Sequence, residues 1–388
     1  MRTCALILCS LLLAACATTP APPVAQHLFA DQFFAPPVER VLAADVFALS
    51  EPMRRYLAKD IASDLRNKGY RQGLVDALYR KEQLKLEYDS TLTRNAAQAF
   101  EARAGNCLSL VIMTAALAKE LGLPVRYQSV PTEETWSRTG DLYFLIGHVN
   151  LAIGKRLTAL GYNRNESDYL TIDFLPATDL RGRTKILAEE TIIAMYMNNR
   201  AVEFFADGRP DDAYWTVREA IAQDPGFMSS YNTLGAIYQQ RGHLAEAERT
   251  FAHVLEREPE NTRALSNRIA VLKAQGRDAE AKEQVELLAR LDPDPPFRYF
   301  DRGVVAMRAG DFKTARDLFT KEIAREAYYH EFHFWLALAY AGLGDIGHAD
   351  EQLALAMENS TTRNDRDRYA AKLDRIRAAA NPPIVRQR

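Results

Sequence analysis

The sequence predicts an α+β domain followed by an all-α repeat array. Two observations predict it. Between about residues 38 and 185, amphipathic helical patterns give way to segments rich in β-branched and aromatic residues, the order of an α+β domain. After about Ala194, glycines recur at a fixed interval: Gly208, Gly242, Gly276, Gly310 and Gly344 are each 34 residues apart. Such a period marks stacked units, each burying its apolar face against the next.

A chain of 388 residues has room for both parts. Lys plus Arg number 49 against 51 Asp plus Glu, a formal net charge of −2. No basic excess points to nucleic acid, and none is expected as a partner.

The first element is a targeting segment. Arg2 precedes the apolar run ALILCSLLLAA, too short to span a bilayer and without a second positive flank. The run closes on LAAC at Leu13–Cys16, which resembles a bacterial lipoprotein signal. The resemblance implies removal of residues 1–15 and lipidation of Cys16. Because Ala17 rather than Asp follows, it implies an outer-membrane anchor facing the periplasm. ATTPAPPVAQ, Ala17–Gln26, is Pro-rich. Residues 16–37 are thus expected to be a tether holding the next domain, residues 38–185, off the membrane.

In that domain, MRRYLAKDIASDLRNKG (Met53–Gly69) reads as one amphipathic helix stopped by Gly69, and TRNAAQAFEARAG (Thr93–Gly105) as another stopped by Gly105. Leu108–Leu121 is apolar almost all round, which places it in the middle of a domain. Gly122 and Pro124 end it. Val125–Val130, Asp141–Ile153 and Asp168–Leu175 read as strands. Between the last two, GKRLTALGYNRNES (Gly154–Ser167) reads as a solvated hairpin loop or a substrate lid.

The four cysteines are Cys4, Cys9, Cys16 and Cys107. Two leave with the signal and one takes the lipid, so Cys107 is the last thiol and has no disulfide partner. It opens the apolar helix directly after Gly105-Asn106. A helix N-terminus favours a thiolate, and a backbone N–H there can hold an oxyanion. A free cysteine is equally a small residue suited to burial. His148 shares a strand face with Ile146 and Asn150, and Asp173 shares one with Thr171. A hairpin register pairing Ile153 with Asp168 sets His148 opposite Asp173, where a carboxylate could orient the imidazole. A core histidine beside a strand-end aspartate fits the same pattern.

Taken in order, AGNCLSLVIMTAALAKELGLPVRYQSV, GHVNLAI and YLTIDFLP, over about Thr91–Pro176, resemble the transglutaminase-like superfamily. The resemblance implies a papain-like fold, with Cys107 as nucleophile, His148 as base and Asp173 as orienting acid, and no cofactor. It implies acyl transfer from an amide or peptide carbonyl, with hydrolysis favoured over crosslinking because bacterial relatives are often protease-like. HVN lacks the aromatic or acidic residues often found after the family's histidine. The pattern assigns no side-chain oxyanion donor; Asn106 and Trp136 are the candidates, and packing alone accounts equally for Trp136. The alternative function is a non-catalytic binding lipoprotein whose working surface is the repeat array.

Within the array, an alanine stands five residues after each glycine (Ala213, Ala247, Ala281, Ala315, Ala349). An apolar residue stands nine after (Val217, Phe251, Val285, Phe319, Leu353), and Pro225, Pro259 and Pro293 close the first three units. This pattern resembles the tetratricopeptide repeat, in five units over residues 194–363, with Arg363–Ala380 as a solvating cap and residues 364–388 as cap and tail. The resemblance places Phe297, Phe300, Met307 and Phe334 along a groove for a protein or peptide partner. His330 and His333 sit three apart on a helix, a spacing able to bind metal, but no third ligand accompanies them and no metal site is expected.

Overall fold

The computed structural model describes residues 22–79, 84–89, 92–139, 142–155, 169–174, 184–293, 295, 297–327, 329–360 and 363–380. Cys16, the segment before it and the loop beyond Lys155 lie outside the described residues.

Short helices come first: α1 (Ala43–Val46), α2 (Glu51–Arg55), α3 (Ala62–Lys68) and α4 (Tyr70–Tyr79). The single helix expected over Met53–Gly69 is broken, because Tyr56–Asp60 winds as a π-turn between α2 and α3. Met53, Tyr56, Leu57 and Ile61 nevertheless all reach the core, so the wide turn interrupts the helix without turning its apolar face outward. Next come β1 (Glu87–Tyr88), α5 (Ala96–Ala102) and β2 (Ala104–Gly105). Asn95 and Gln98 form a capping box at the start of α5. The helix ends at Arg103 in left-handed conformation, before Gly105. That frees β2 to pair in parallel with β1, with Tyr88 opposite Gly105.

Helix α6 (Cys107–Glu120) is buried continuously from Cys107 to Ala118. It packs on a four-stranded antiparallel sheet of β3 (Val125–Thr139), β4 (Leu142–Ile153), β5 (Leu170–Ile172) and β6 (Lys185–Leu187), in the order β5-β4-β3-β6. Val111, Met113 and Leu117 share one core with Tyr127, Val149, Leu151 and Ile172. The β4–β5 register pairs Ile153 with Leu170 and Leu151 with Ile172. This corrects the expected pairing of Ile153 with Asp168 by two residues. A two-residue offset preserves the faces, so His148 and Asp173 stay on one side of the sheet as diagonal neighbours.

Helical hairpins follow: α7 (Glu189–Ala206) with α8 (Pro210–Gln223), α9 (Met228–Gln240) with α10 (Leu244–Arg257), and α11 (Thr262–Ala274) with α12 (Asp278–Leu291). Then come α13 (Arg298–Arg308) with α14 (Phe312–Ile323), α15 (His330–Gly342) with α16 (Ile346–Glu358), and the last helix, α17 (Arg363–Ala380). The five periodic glycines turn each hairpin with φ between 73° and 80°, a conformation that only glycine adopts without strain. Gly303 is fixed for a different reason: a Cβ there would lie 2.4 Å from the Phe319 ring, which is fully buried. Gly303→Ala is expected to lower stability by about 1–3 kcal/mol through overpacking, read as a lower denaturation midpoint.

The 34-residue period is continuous, but the packing is not. One core runs from Ala201 to Val271 and takes in Ala25, Leu28, Ala30 and Phe34, and another starts at Phe297. Between them α12 buries only Ala281, Val285 and Val305 are exposed, and α12 makes little contact with α13. The fourth hairpin is closed from within. Glu322, itself buried, accepts the backbone N–H of Tyr299 at 2.8 Å and of Phe300 at 3.0 Å, satisfying the free donors at the start of α13.

Two expectations are corrected here. Phe297 and Phe300 do not line a groove: they are 1% and 3% exposed and pack with Phe319 and Phe332 inside the fourth hairpin. Met307 packs against the same core, and Phe334 stacks on Tyr369 of α17 with ring centres 4.8 Å apart. These aromatic positions therefore close the hairpin core and its cap.

The second correction concerns residues 22–37, which are no free tether. Two 3-10 turns, Gln26–Leu28 and Asp31–Phe33, seat this segment, together with Val38 and Glu39 that follow it, as a strap on α8, α9 and α10. Phe34 stacks on Tyr214 at 3.9 Å and Phe33 on His243 at 4.0 Å. The Tyr214 hydroxyl accepts the N–H of Ala30 and donates to Asp31, while Tyr238 donates to the carbonyl of Leu28. Trp215 donates to the carbonyl of Ala35. Asp211 accepts the N–H of Ala35, and Asp212 accepts those of Val38 and Glu39. Side chains of the first two hairpins thus satisfy a main chain that has no regular structure to satisfy itself.

Candidate functional site

Cys107 is the first residue of α6 and only 2% exposed. Its neighbours explain how the chain reaches that point. A Cβ on Gly105 would lie 2.6 Å from the Cβ of Ser109, so only glycine lets β2 pass the first turn so closely. Asn106 is the helix cap: its Oδ1 accepts the N–H of Ser109 at 2.9 Å and the Ser109 hydroxyl at 2.8 Å. Its Nδ2 donates to Thr93 Oγ1 at 2.9 Å. Those bonds commit Asn106 to capping, which removes it as a candidate oxyanion donor. The Trp136 side chain lies outside the described residues.

His148 lies on β4, an inner strand of the sheet, and is 4% exposed. Asp173 follows β5 directly, and its Oδ1 and Oδ2 lie 2.7 and 2.9 Å from His148 Nε2. Asn150 Nδ2 donates to Asp173 Oδ2 at 3.2 Å, and the Tyr79 hydroxyl donates to the Asp173 carbonyl at 3.2 Å. The carboxylate is therefore held by His148 and Asn150, and the Asp173 main chain by Tyr79.

Asp173 takes Nε2, which leaves Nδ1 as the ring nitrogen available to the thiol. Nδ1 is buried, and among the described residues its only titratable neighbour besides Asp173 is the Cys107 thiol, whose contact with the ring is looser than a regular hydrogen bond. The two groups still interact. Burial pulls the imidazole pKa down, but hydrogen bonding to Asp173 and Cys107 and their negative charge outweigh it, and the pKa is pushed up to about 9. A cation beside a thiol at a helix N-terminus is the environment in which thiolates form.

The structure thus brings Cys107, His148 and Asp173 together. It adds Tyr88, which pairs opposite Gly105 on β1 and packs against the core that contains Cys107. Burial first, then the charges of Cys107 and Asp89, hold its hydroxyl above the usual tyrosine range. The phenol remains a donor near the thiol. A strand of two residues has no periodicity, so sequence reasoning had no signal for it. Asn150 was placed on the face of His148 by alternation alone, without a role. His330 and His333 have separate partners: His330 bonds Tyr369, while His333 uses both ring nitrogens on Gln352 and the Ala327 carbonyl. Among the described residues, no group of three or more His, Cys, Asp or Glu is placed to hold a metal, and no helix is long and apolar enough to cross a membrane.

Residues 204–266 match the tetratricopeptide repeat family, and the stacked hairpins of the C-terminal region form a tetratricopeptide-repeat solenoid. Among solved structures, the chain is similar to TTC0263, a thermophilic tetratricopeptide-repeat protein of Thermus thermophilus, with 21% identity, coverage of 46% of this chain and 98% of that one, and a TM-score of 0.30. It is similar to YrrB, described as a tetratricopeptide-repeat protein with an unusual peptide-binding site, with 18% identity, 46% and 92% coverage, and a TM-score of 0.25. It is also similar to yeast Tom70, with 15% identity, 48% and 40% coverage, and a TM-score of 0.36. A comparison with curated proteins finds no match.

Proposed function

We propose that this protein binds a protein or peptide through its tetratricopeptide repeats and carries beside them a cysteine acyl-transfer centre in a transglutaminase-like domain. The binding half is supported by the repeat match over residues 204–266. The catalytic half is carried by one observation: a buried thiol at a helix N-terminus, beside an imidazole whose far nitrogen is 2.7 Å from a carboxylate. In this reading the chain is anchored through a lipid on Cys16, at the periplasmic face of the outer membrane.

The chemistry follows from those positions. His148 takes the thiol proton, and Cys107 Sγ attacks an amide carbonyl carbon. Backbone N–H groups of the first turn of α6 hold the oxyanion. The imidazolium gives its proton to the amine nitrogen, the C–N bond breaks, and an acyl thioester remains. Water, deprotonated by His148, then attacks the thioester, releasing the carboxylic acid and restoring the thiol. Asp173 keeps the ring in the tautomer and orientation this needs.

The deciding experiment compares the full chain with Cys107→Ala on a peptide mixture prepared from envelope proteins. New termini that depend on Cys107 support hydrolysis, and new isopeptide links support transfer. Identical products from both chains sink the catalytic half. The second reading, a non-catalytic scaffold, would then stand, and the repeat match favours it because that is the part of the chain with a family match.

A further inference from the structure

The cap of the thiol helix is connected to the repeat array by a short series of bonds. Thr93 precedes α5 and is 3% exposed. Its hydroxyl oxygen accepts from Asn106 Nδ2 at 2.9 Å, and its backbone N–H donates to Glu203 Oε1 at 2.7 Å. Glu203 belongs to α7, the first helix of the array, 110 residues further along the chain. The next residue, Arg94, donates its N–H to Ser109 Oγ at 2.8 Å, and Ser109 bonds Asn106 in turn. The loop holding Thr93 and Arg94 is thus fixed on one side by the cap of α6 and on the other by α7. Arg200 contacts Glu203 and also reaches Glu39 of the strap at 3.5 Å.

Each bond in this series is costly to lose. A buried N–H without an acceptor pays its full desolvation penalty, so Thr93 cannot keep its place once the Glu203 carboxylate is gone. Asn106 would then lose the partner that orients its amide, and Asn106 fixes the first turn of α6. The donors of that turn are what a Cys107 thiolate would rely on. The effect passes through position alone, because Glu203 touches neither the thiol nor the imidazole.

We propose that Glu203 is a positioning residue for Cys107, so that the first repeat helix completes the thiol site. This inference rests on the cysteine chemistry proposed above. It makes the repeat array part of the centre as well as its docking partner. The same helix carries Arg200, the contact to Glu39 of the strap, so changes at the first hairpin bear on the thiol through α7.

The test is the second-order rate of Cys107 alkylation by iodoacetamide in the full chain, followed from about pH 5 to about pH 10. Glu203→Ala is expected to slow it at pH 7 by about tenfold, the equivalent of one charge-assisted hydrogen bond, and to move the rise of the profile to higher pH. Glu203→Gln keeps an acceptor for Thr93 and is expected to stay within about threefold of the parent. Thr93→Val removes the acceptor of Asn106 and the hydroxyl's own bond to Glu203 while keeping the backbone N–H bond, and its expected loss matches that of Glu203→Ala. It decides the matter if Glu203→Ala does not fold. Gly303→Ala, destabilised in a distant hairpin, is expected to keep the parent rate, which separates positioning from general loss of stability. Parent-like rates and profiles in Glu203→Ala, or in Thr93→Val where the first does not fold, overturn the inference and leave the cysteine reading intact. A parent thiol that labels only after denaturation overturns both.

Discussion

Replacing His148 by alanine slows alkylation of Cys107 at neutral pH by about 100-fold, the lower end of what a positioned proton-transfer group contributes, because the imidazolium that holds the thiol proton and faces the thiolate is gone. The thiol and the helix N-terminus remain in that variant, so the loss isolates the imidazole. Asp173→Asn has a smaller effect, because Asn150 and Tyr79 still hold the segment after β5 while the charge opposite Nε2 disappears. The pH dependence follows from the imidazole. Its pKa is raised from 6.5 to about 9, so it is protonated throughout the neutral range and loses the proton as pH rises through about 9. Donation to a leaving amine requires that proton, and hydrolysis is therefore expected to fall on the alkaline side near pH 9. Alkylation needs no acid and continues. In Asp173→Asn the main raising interaction is lost, and the alkaline limb moves toward lower pH. A pH–rate profile and an NMR titration of the His148 ring read the two effects independently. An alkylation rate unchanged in His148→Ala would remove the imidazole from the site.

The parts legible in the sequence were those carried by repetition or by local pattern. The turn glycines and close-packed alanines of the array share one period, and each of those glycines adopts the positive φ that explains it. The entry to α6 was legible because Gly105, Asn106 and Cys107 are adjacent and each has a local job. The strand faces of His148 and Asp173 were legible from alternation, but their register was not. Alternation fixes which face a side chain takes and leaves offsets of two residues open.

What the sequence concealed was tertiary. The period runs through Pro293 without marking that the packing stops at α12, because the repeat positions stay apolar even where no neighbour covers them. Phe297 and Phe300 hold positions that would face a groove in a continuous stack. With little contact between α12 and α13, they turn into the core of the fourth hairpin instead. The strap was concealed by its composition. Prolines and alanines read as a linker, and the segment is seated by side chains 174 to 210 residues away: Tyr214, Tyr238 and Asp212 bind its backbone, and Tyr214 and His243 stack on its aromatic rings.

Removing one of those side chains should have the largest effect on the array. Asp212→Ala is expected to destabilise the strap and first hairpin by about 3 kcal/mol, the loss of two backbone N–H bonds to a charged acceptor. Asp212 is 4% exposed, and its Oδ1 accepts two strap N–H groups at 2.7 and 3.0 Å while its Oδ2 accepts Arg209 Nε at 2.9 Å. Without it, two main-chain donors lose their acceptor. Arg209 is partly exposed and can return to water, which keeps the cost near that figure. Burial alone would raise the Asp212 pKa, but the N–H groups of Glu39 and Val38 and the Arg209 guanidinium hold it below its usual 3.8. The folded state therefore favours the ionised form. Its contribution is complete above pH 3.8 and is lost as the medium is acidified through the lowered pKa. Hydrogen exchange at Val38 and Glu39 measures this directly. In the parent, protection at these amides should fade on acidification below that point, and in Asp212→Ala it should be absent at every pH, while amides inside α6 keep theirs. Equal protection of the strap amides in both chains, with unchanged denaturation midpoints, would mean that the aromatic stacking of Phe33 and Phe34 suffices to seat the strap. The polar contacts would then set only its register on α8 and α9.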